Sequence, residues 1–210
     1  DPQRIKSHHL TMGTVIEEHH RGHIERVVED LAWHFEVADV FTKAYIYHYQ
    51  TAALHLRQSL YNKAITALDH ALDLEPRARP WLLLAKADTR LARVYLARGR
   101  ALFHLGRLDD ALTDLHAAED LAKKLDDNRL HSRVAGHLGI LLRNMGTHQE
   151  DAERYLRTAT VCAEAAGDEI LLCQPLYHLG GVLWGQGDLE GAERCWNRTL
   201  AIATRVHDRR

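Results

Sequence analysis

Near the end of the chain, apolar residues recur at helical intervals on both sides of a break. Leu176, Leu179 and Leu183 are three or four residues apart, so they would share one face of an α-helix. Gly187-Asp188 interrupts this run, and glycine is common just beyond a helix end. The pattern then resumes at Leu189, Ala192, Trp196 and Leu200. This stretch therefore predicts two amphipathic helices packed as a hairpin.

Two upstream stretches repeat this arrangement. The glycines that would end a first helix are Gly106, Gly146 and Gly187. The alanines early in a second helix are Ala111, Ala152 and Ala192. Both sets are separated by 40 and 41 residues, and self-similarity at such a period is typical of helical repeat proteins. In the last copy, Gly180 and Ala192 are small enough to let two helix backbones approach closely.

Helical periodicity also extends over the rest of the chain. The apolar spacing predicts further helices near residues 5–18, 23–35, 45–56 and 64–74. We expect Pro76 to stop the last of these, because proline lacks an N–H and clashes with the preceding turn. Pro80 suits the first turn of a new, long helix from Trp81 to about Leu105. With roughly ten or eleven helices and no strand pattern, the expected fold is all-α, a right-handed α-solenoid of antiparallel helix hairpins.

Composition and charge exclude several classes of protein. The net charge of −2 provides no field that would attract nucleic acid or an anionic membrane. No apolar run approaches the ~20 residues that a membrane span requires, and we expect no signal peptide. The cysteines, which form no CxxC pair, are Cys162, Cys173 and Cys195. Buried thiols in a reducing compartment are the simplest interpretation, so we expect a cytoplasmic protein, and the start at Asp1-Pro2 indicates a fragment of a longer one.

The repeated positions resemble those of the tetratricopeptide repeat (TPR). In the last copy the match rests on Leu179-Gly180, Leu183, Gly187-Asp188-Leu189, Ala192 and Trp196. The middle copy matches at Leu138-Gly139, Leu142, Gly146, Ala152 and Ala159. The first copy matches at Gly99, Leu102, Gly106-Arg107-Leu108, Ala111, Leu115 and Ala118. The segment from Ala64 to Pro76 resembles the second half of an earlier, degenerate repeat.

A repeat of about 40 residues, longer than the usual TPR length of about 34, resembles the long-repeat class of bacterial signalling ATPases and of scaffold proteins that orient cell division. The resemblance implies an N-terminal helical region at 1–62 and a TPR array at 63–210, with about three clear repeats and a half repeat.

The N-terminal third is similar to the region that follows the nucleotide-binding part of STAND-type signalling ATPases. Asp30-Leu-Ala-Trp-His-Phe35 approximates an "ELAHHY"-like segment that precedes the repeats in those proteins. The resemblance implies a larger regulator whose repeat array holds the ATPase closed until an effector binds. The sequence itself contains no GxxxxGK[ST] loop, so we expect no nucleotide or other cofactor within it.

Sixteen histidines raise a metal-binding alternative. His19 and His23 are four residues apart and would share a helix face, where Glu17 or Glu18 could complete a zinc site. Gly22 lies between them and no remote ligand is specified, so we expect no metal site, with His19 and His23 as the candidates if one exists. No serine or cysteine has the sequence context of a nucleophile, which predicts a protein that is not an enzyme. The histidines expected to serve packing or a groove are His34, His48, His55, His104, His137 and His178.

In TPR arrays the first helix of each hairpin lines a concave groove, and the resemblance assigns such positions here. They are Arg93, Arg100 and Phe103 in the first copy, Arg133, Ile140, Arg143 and Asn144 in the second, and Gln174, Tyr177, Gly181 and Trp184 in the third. Arginines would favour carboxylate or phosphate groups, and the two aromatic residues would anchor apolar side chains. The alternative is that the arginines are solvated or pair with neighbouring carboxylates. The chaperone-type carboxylate clamp is not met, since Leu96 and Arg100 stand at its positions.

These patterns favour a non-catalytic module for protein–protein interaction or effector sensing. The expected partner is a protein or peptide with acidic groups, rather than nucleic acid or a membrane. The STAND resemblance adds an upstream ATPase domain of the same polypeptide as a partner. A free-standing TPR scaffold or adaptor is the first alternative, and a histidine-rich metal-binding protein or enzyme is the second.

Overall fold

The computed structural model describes residues 1–82, 84–146 and 148–208. These residues form ten α-helices and no strand, and the chain divides into two compact units, Asp1–Arg107 and Leu108–Arg210. Within the described part, no helix combines the length and apolar character needed to cross a membrane. The all-α prediction is therefore confirmed.

Five helices make up each unit. In the first they are α1 Pro2–His19, α2 Val28–Val37, α3 Phe41–Arg57, α4 Tyr61–Ala78 and α5 Leu84–His104, with 3₁₀ turns at Ile24–Arg26 and Arg79–Trp81. In the second they are α6 Leu108–Lys124, α7 Asn128–Met145, α8 Gln149–Ala165, α9 Glu169–Gln186 and α10 Leu189–Asp208. The boundary expected between an N-terminal helical region at 1–62 and a repeat array at 63–210 stays a prediction. Residue 62 lies in the first turn of α4.

The core of the first unit lies between α2, α3 and α4. Leu31, Phe35, Tyr45 and Leu68 are among its largest members and are almost completely buried. Helix α1 packs onto this core at Gly13, where an added Cβ would lie 3.3 Å from the Phe35 ring. Phe35 and Tyr45 thus serve packing.

The helix ends of the second unit follow the capping residues in the sequence. The carboxylates of Asp127 and Asp168 accept hydrogen bonds from the backbone N–H groups of the first turns of α7 and α9, which satisfies donors that have no partner inside the helix. Gly146 and Gly187 end the same helices with φ of 75° and 88°, a left-handed conformation that favours glycine. The predicted ends of both first helices are therefore confirmed.

Small residues bring the helices of each hairpin together. A Cβ on Gly139 of α7 would lie 2.6 Å from Leu156 Cγ on α8. The matching position, Gly180 of α9, would place a Cβ 2.8 Å from Trp196 Cδ1 on α10. The hairpin and the close approach predicted for it are confirmed.

The expectation that Pro76 stops the preceding helix is wrong. α4 continues through Pro76 to Ala78, and Ala78 is fully buried. Proline so near a helix end removes one backbone hydrogen bond, and the buried contacts of the last turn offset that loss. Pro80 lies in the 3₁₀ turn rather than in a long helix, and α5 begins only at Leu84.

Candidate functional site

Helices α7 and α9 are the first helices of the two hairpins in the second unit, and they contact each other directly. Their other faces are packed against α8 and α10. The remaining surface of α7 and α9 carries most of the groove positions assigned from the sequence.

Arg143 of α7 reaches across to Gly181 of α9. A Cβ at position 181 would lie 2.9 Å from Arg143 Nη1, so the missing side chain makes room for the guanidinium. Arg143 is half-buried, and in the described part of the chain no carboxylate forms an ion pair with it. A partly desolvated guanidinium with no ion-pair partner can receive an external anion, because it offers two parallel N–H donors.

Tyr177 and Trp184 lie on the same face of α9, on either side of Gly181. Tyr177 is four residues before it and Trp184 three residues after it, so the three share a helix face. The two aromatic side chains are 58% and 63% exposed, which is unusual for residues of this size and apolar character. The Arg143 guanidinium thus approaches α9 at position 181, which lies between these two aromatic residues along the helix.

His178 lies beside this charge and is neutral at pH 7. Burial and the positive charge of Arg143 lower the pKa of His178 from 6.5 to about 4. Its Nδ1 is buried without a hydrogen-bond partner among the described residues. Of these two neighbouring side chains, Arg143 is therefore the one that carries a positive charge at pH 7.

Trp196 supports the face from behind. Its Nε1 donates a hydrogen bond of 3.1 Å to the backbone carbonyl of Tyr177, and its ring fills the space left by Gly180. The sequence assigns Trp196 to packing and Trp184 to the groove, and the two residues have these different surroundings in the structure.

The other assigned positions fall into three groups. Arg133, Asn144 and Gln174 are exposed on α7 and α9. Ile140 is only 6% exposed, so the expectation that it lines a groove is wrong, because this position of α7 turns its side chain into the core. The positions on α5 belong to the first unit, where Arg93 and Arg100 are exposed and Phe103 is half-buried.

A second set of polar residues in this unit has the order of a nucleophilic triad but not its chemistry. Cys162 Sγ lies 3.5 Å from His131 Nδ1, and His131 Nε2 lies 3.9 Å from Glu119 Oε1. Burial raises the pKa of the Cys162 thiol and lowers the pKa of His131, which disfavours the thiolate–imidazolium pair that a nucleophile needs. Glu119 is already paired with Lys123 at 2.7 Å. The group is a packing network between helices.

Among the described residues, the histidine candidates from the sequence, His19 and His23, belong to no cluster of metal-ligand atoms. α1 ends at His19, whose ring packs edge-on against His20, and His23 lies beyond the following turn. Across the described residues, the ligand-type atoms that converge are those of Glu36, His48 and His70. Sequence reasoning missed this group because its members come from three different helices and have no characteristic spacing.

Neither a protein-family model nor a curated protein matches the sequence. Solved structures do match it. The Rap conjugation gene regulator of plasmid pLS20, solved with the Phr* peptide, is 19% identical with a TM-score of 0.70 over 99% of this chain and 53% of that chain. The chain thus spans about half of that regulator's length.

Two further structures are similar to this chain. YrrB, described as a TPR protein with an unusual peptide-binding site, is 15% identical with a TM-score of 0.60 over 92% of this chain and 84% of that chain. Aspartyl phosphate phosphatase F from Bacillus subtilis is 14% identical with a TM-score of 0.68 over 91% of this chain and 55% of that chain. At identities this low, structural similarity is evidence for the fold alone. These matches show that the chain has the fold of tetratricopeptide-repeat proteins.

Proposed function

We propose that the chain is a non-catalytic binding module that holds a segment of a protein or peptide on the α7–α9 face. The observation that carries the proposal is the half-buried Arg143 guanidinium over Gly181, between the exposed rings of Tyr177 and Trp184. A cation without an ion-pair partner and two exposed aromatic side chains form a site for a carboxylate flanked by apolar groups.

The spacing of the site defines the ligand more closely. Tyr177 and Trp184 are seven residues apart on α9, which corresponds to about 10 Å along the helix axis. A peptide in the polyproline II conformation has three residues per turn and rises about 3.1 Å per residue, so side chains three positions apart lie on one face at about 9 Å. The favoured ligand is therefore a segment with two apolar side chains three positions apart and an acidic residue between them.

Two of the similar structures support a peptide as the ligand class. The pLS20 regulator was solved with a peptide, and YrrB is described by its peptide-binding site. The phosphatase named among the similar structures has its own activity, and the proposed function of this chain includes no catalytic step. The three cysteines are free, which agrees with a proposed location in the reducing cytoplasm.

Peptide display on the immobilised chain tests the proposal. We expect enriched peptides to carry the apolar–acidic–apolar pattern. Their affinity should fall at least about tenfold on Arg143→Gln, because the substitution removes one charge-assisted hydrogen-bonded pair. Trp184→Ser should weaken the same peptides.

Two matched variants control for nonspecific effects. Arg154→Gln removes an exposed arginine from α8, and Trp81→Ser removes an exposed tryptophan from the first unit. Both should leave peptide affinity unchanged. Peptides that bind the Arg143 and Trp184 variants as well as the unchanged chain would refute the α7–α9 site.

The N-terminal resemblance supports a finer proposal, that the module is the sensor region of a STAND-type ATPase regulator. Its support is the sequence of α2, in which Leu31, Ala32 and Phe35 of the matching segment are buried and Trp33 is exposed. A native reading frame with a phosphate-binding loop upstream would establish this context. A frame without one would favour a free-standing scaffold.

A further inference from the structure

Three helices of the first unit bring one carboxylate and two imidazoles together. Glu36 lies on α2, His48 on α3 and His70 on α4, and one ligand atom from each lies within 4.8 Å of the others. His48 Nε2 is 2.6 Å from Glu36 Oε2, and His70 Nδ1 is 3.4 Å from Glu36 Oε1. We infer that Glu36, His48 and His70 form a binding site for a divalent transition-metal ion, with zinc as the best match.

The ligand set determines the choice of metal. Two imidazole nitrogens and one carboxylate are a known three-residue set for zinc, in which water occupies the fourth position. Calcium and magnesium prefer oxygen ligands throughout. The side chain of His70 is 48% exposed, so an ion and its water can reach the site from solvent.

The electrostatic setting favours a cation. The Glu36 carboxylate places a negative charge within reach of both imidazoles, 2.6 Å from His48 Nε2 and 3.4 Å from His70 Nδ1. Glu36 stands in the last turn of α2, where the negative end of the helix dipole attracts positive charge.

Glu36 uses its two oxygens to hold the two rings. The rings of His48 and His70 are stacked, with centroids 4.9 Å apart and planes within 7°. Coordination of one ion by both requires the ring planes to turn relative to each other, because the lone pairs lie in those planes. The exposed ring of His70 has the freedom to do this, whereas His48 is held in the core.

A second histidine–carboxylate pair on the same two helices provides an internal comparison. His55 Nε2 lies 2.8 Å from Glu29 Oε1, and both residues are seven positions from their counterparts His48 and Glu36. Across the described residues, no third ligand atom joins this pair. The pairing alone is thus a helix–helix contact, and His70 on α4 is what turns the other pair into a metal site.

Titration of the metal-free full chain with Zn²⁺, read by competition with a chromophoric chelator, tests the inference. We expect one tight equivalent, weakened at least about tenfold by His70→Phe, which keeps an aromatic ring on His48 but offers no ligand. Loss of even an outer partner of a metal ligand costs about that much. Glu36→Gln should have the same effect, and Zn²⁺ should raise the unfolding temperature of the unchanged chain but not of these variants.

His23→Ala is the matched control, because it removes an exposed histidine of the same unit. It should leave the tight equivalent intact. Absence of a tight equivalent in the unchanged chain, or its persistence in His70→Phe with helix content unchanged, would overturn the inference. The site lies in the first unit and the proposed peptide face in the second, so either can fail without the other.

Discussion

Gly139 and Gly136 lie one turn apart on α7, and alanine at these two positions should have opposite effects on stability. Alanine is more favourable than glycine in a helix interior by about 0.8–1 kcal/mol. At Gly136 the nearest atom to an added Cβ is Ala159 Cβ at 3.8 Å, an ordinary contact. We therefore expect Gly136→Ala to raise the free energy of unfolding of the second unit by up to about 1 kcal/mol.

At Gly139 the same methyl group has no room. Its Cβ would lie 2.6 Å from Leu156 Cγ and 3.0 Å from the backbone oxygen of Ala152. Leu156 is fully buried, and a backbone oxygen cannot turn aside as a side chain can. Overpacking of this kind costs about 1–3 kcal/mol, which outweighs the propensity gain. The two variants should thus differ by about 1–3 kcal/mol, with Gly139→Ala the less stable.

Denaturant unfolding followed by circular dichroism and by tryptophan fluorescence measures this difference. Trp184 and Trp196 report on the second unit once Trp33 and Trp81, both exposed in the first unit, are replaced by phenylalanine. In a Leu156→Ala background the main clash is gone, so adding Gly139→Ala there should cost less than it does in the unchanged chain. Stabilisation by Gly139→Ala equal to that by Gly136→Ala would refute the close packing of α7 against α8.

Three further measurements test other parts of the structure. By NMR titration, Arg143→Gln should raise the pKa of His178 from about 4 but leave it below 6.5, because burial remains. An unchanged pKa of His178 in the variant would contradict its proximity to Arg143. Since the pKa of His178 is lower in the folded than in the unfolded state, its contribution to stability is present above pH 6.5 and is lost as the pH falls toward 4. Tyr47→Phe removes a 2.5 Å hydrogen bond to a carboxylate on α1 and should destabilise the first unit by about 1.5–3 kcal/mol in a thermal melt, whereas a wild-type melting temperature would show that this bond does not hold α1. Gly187→Ala should lower stability by about 1–2 kcal/mol because of the positive φ, while Gly185→Ala, in the preceding helical turn, should not.

The repeat could be predicted from the sequence because its signals are local. Gly146 and Gly187 end helices where the chain needs a left-handed residue, and Asp127 and Asp168 begin them by capping backbone N–H groups. Pro76 shows the limit of such signals, because burial of the next turn decides whether a helix continues, and burial depends on other helices.

The candidate site could be predicted only in part for the same reason. Tyr177 and Trp184 share a face by helical spacing alone, so their exposure together could be expected. Ile140 and Arg143 are close in sequence, and only the packing of α7 shows that one is buried and the other reaches α9. The space that Gly181 leaves for the guanidinium depends on how two helices meet.

The order in which helices contact one another has a consequence for how the chain folds. In each unit the largest interfaces join helices that are consecutive in sequence, as in α3 with α4, α7 with α8 and α9 with α10. Such contacts require only short loops to close, and proteins dominated by local contacts fold in microseconds to milliseconds. A hairpin of this chain can therefore form as soon as its own two helices are available, and slow closure of distant segments should not limit the rate.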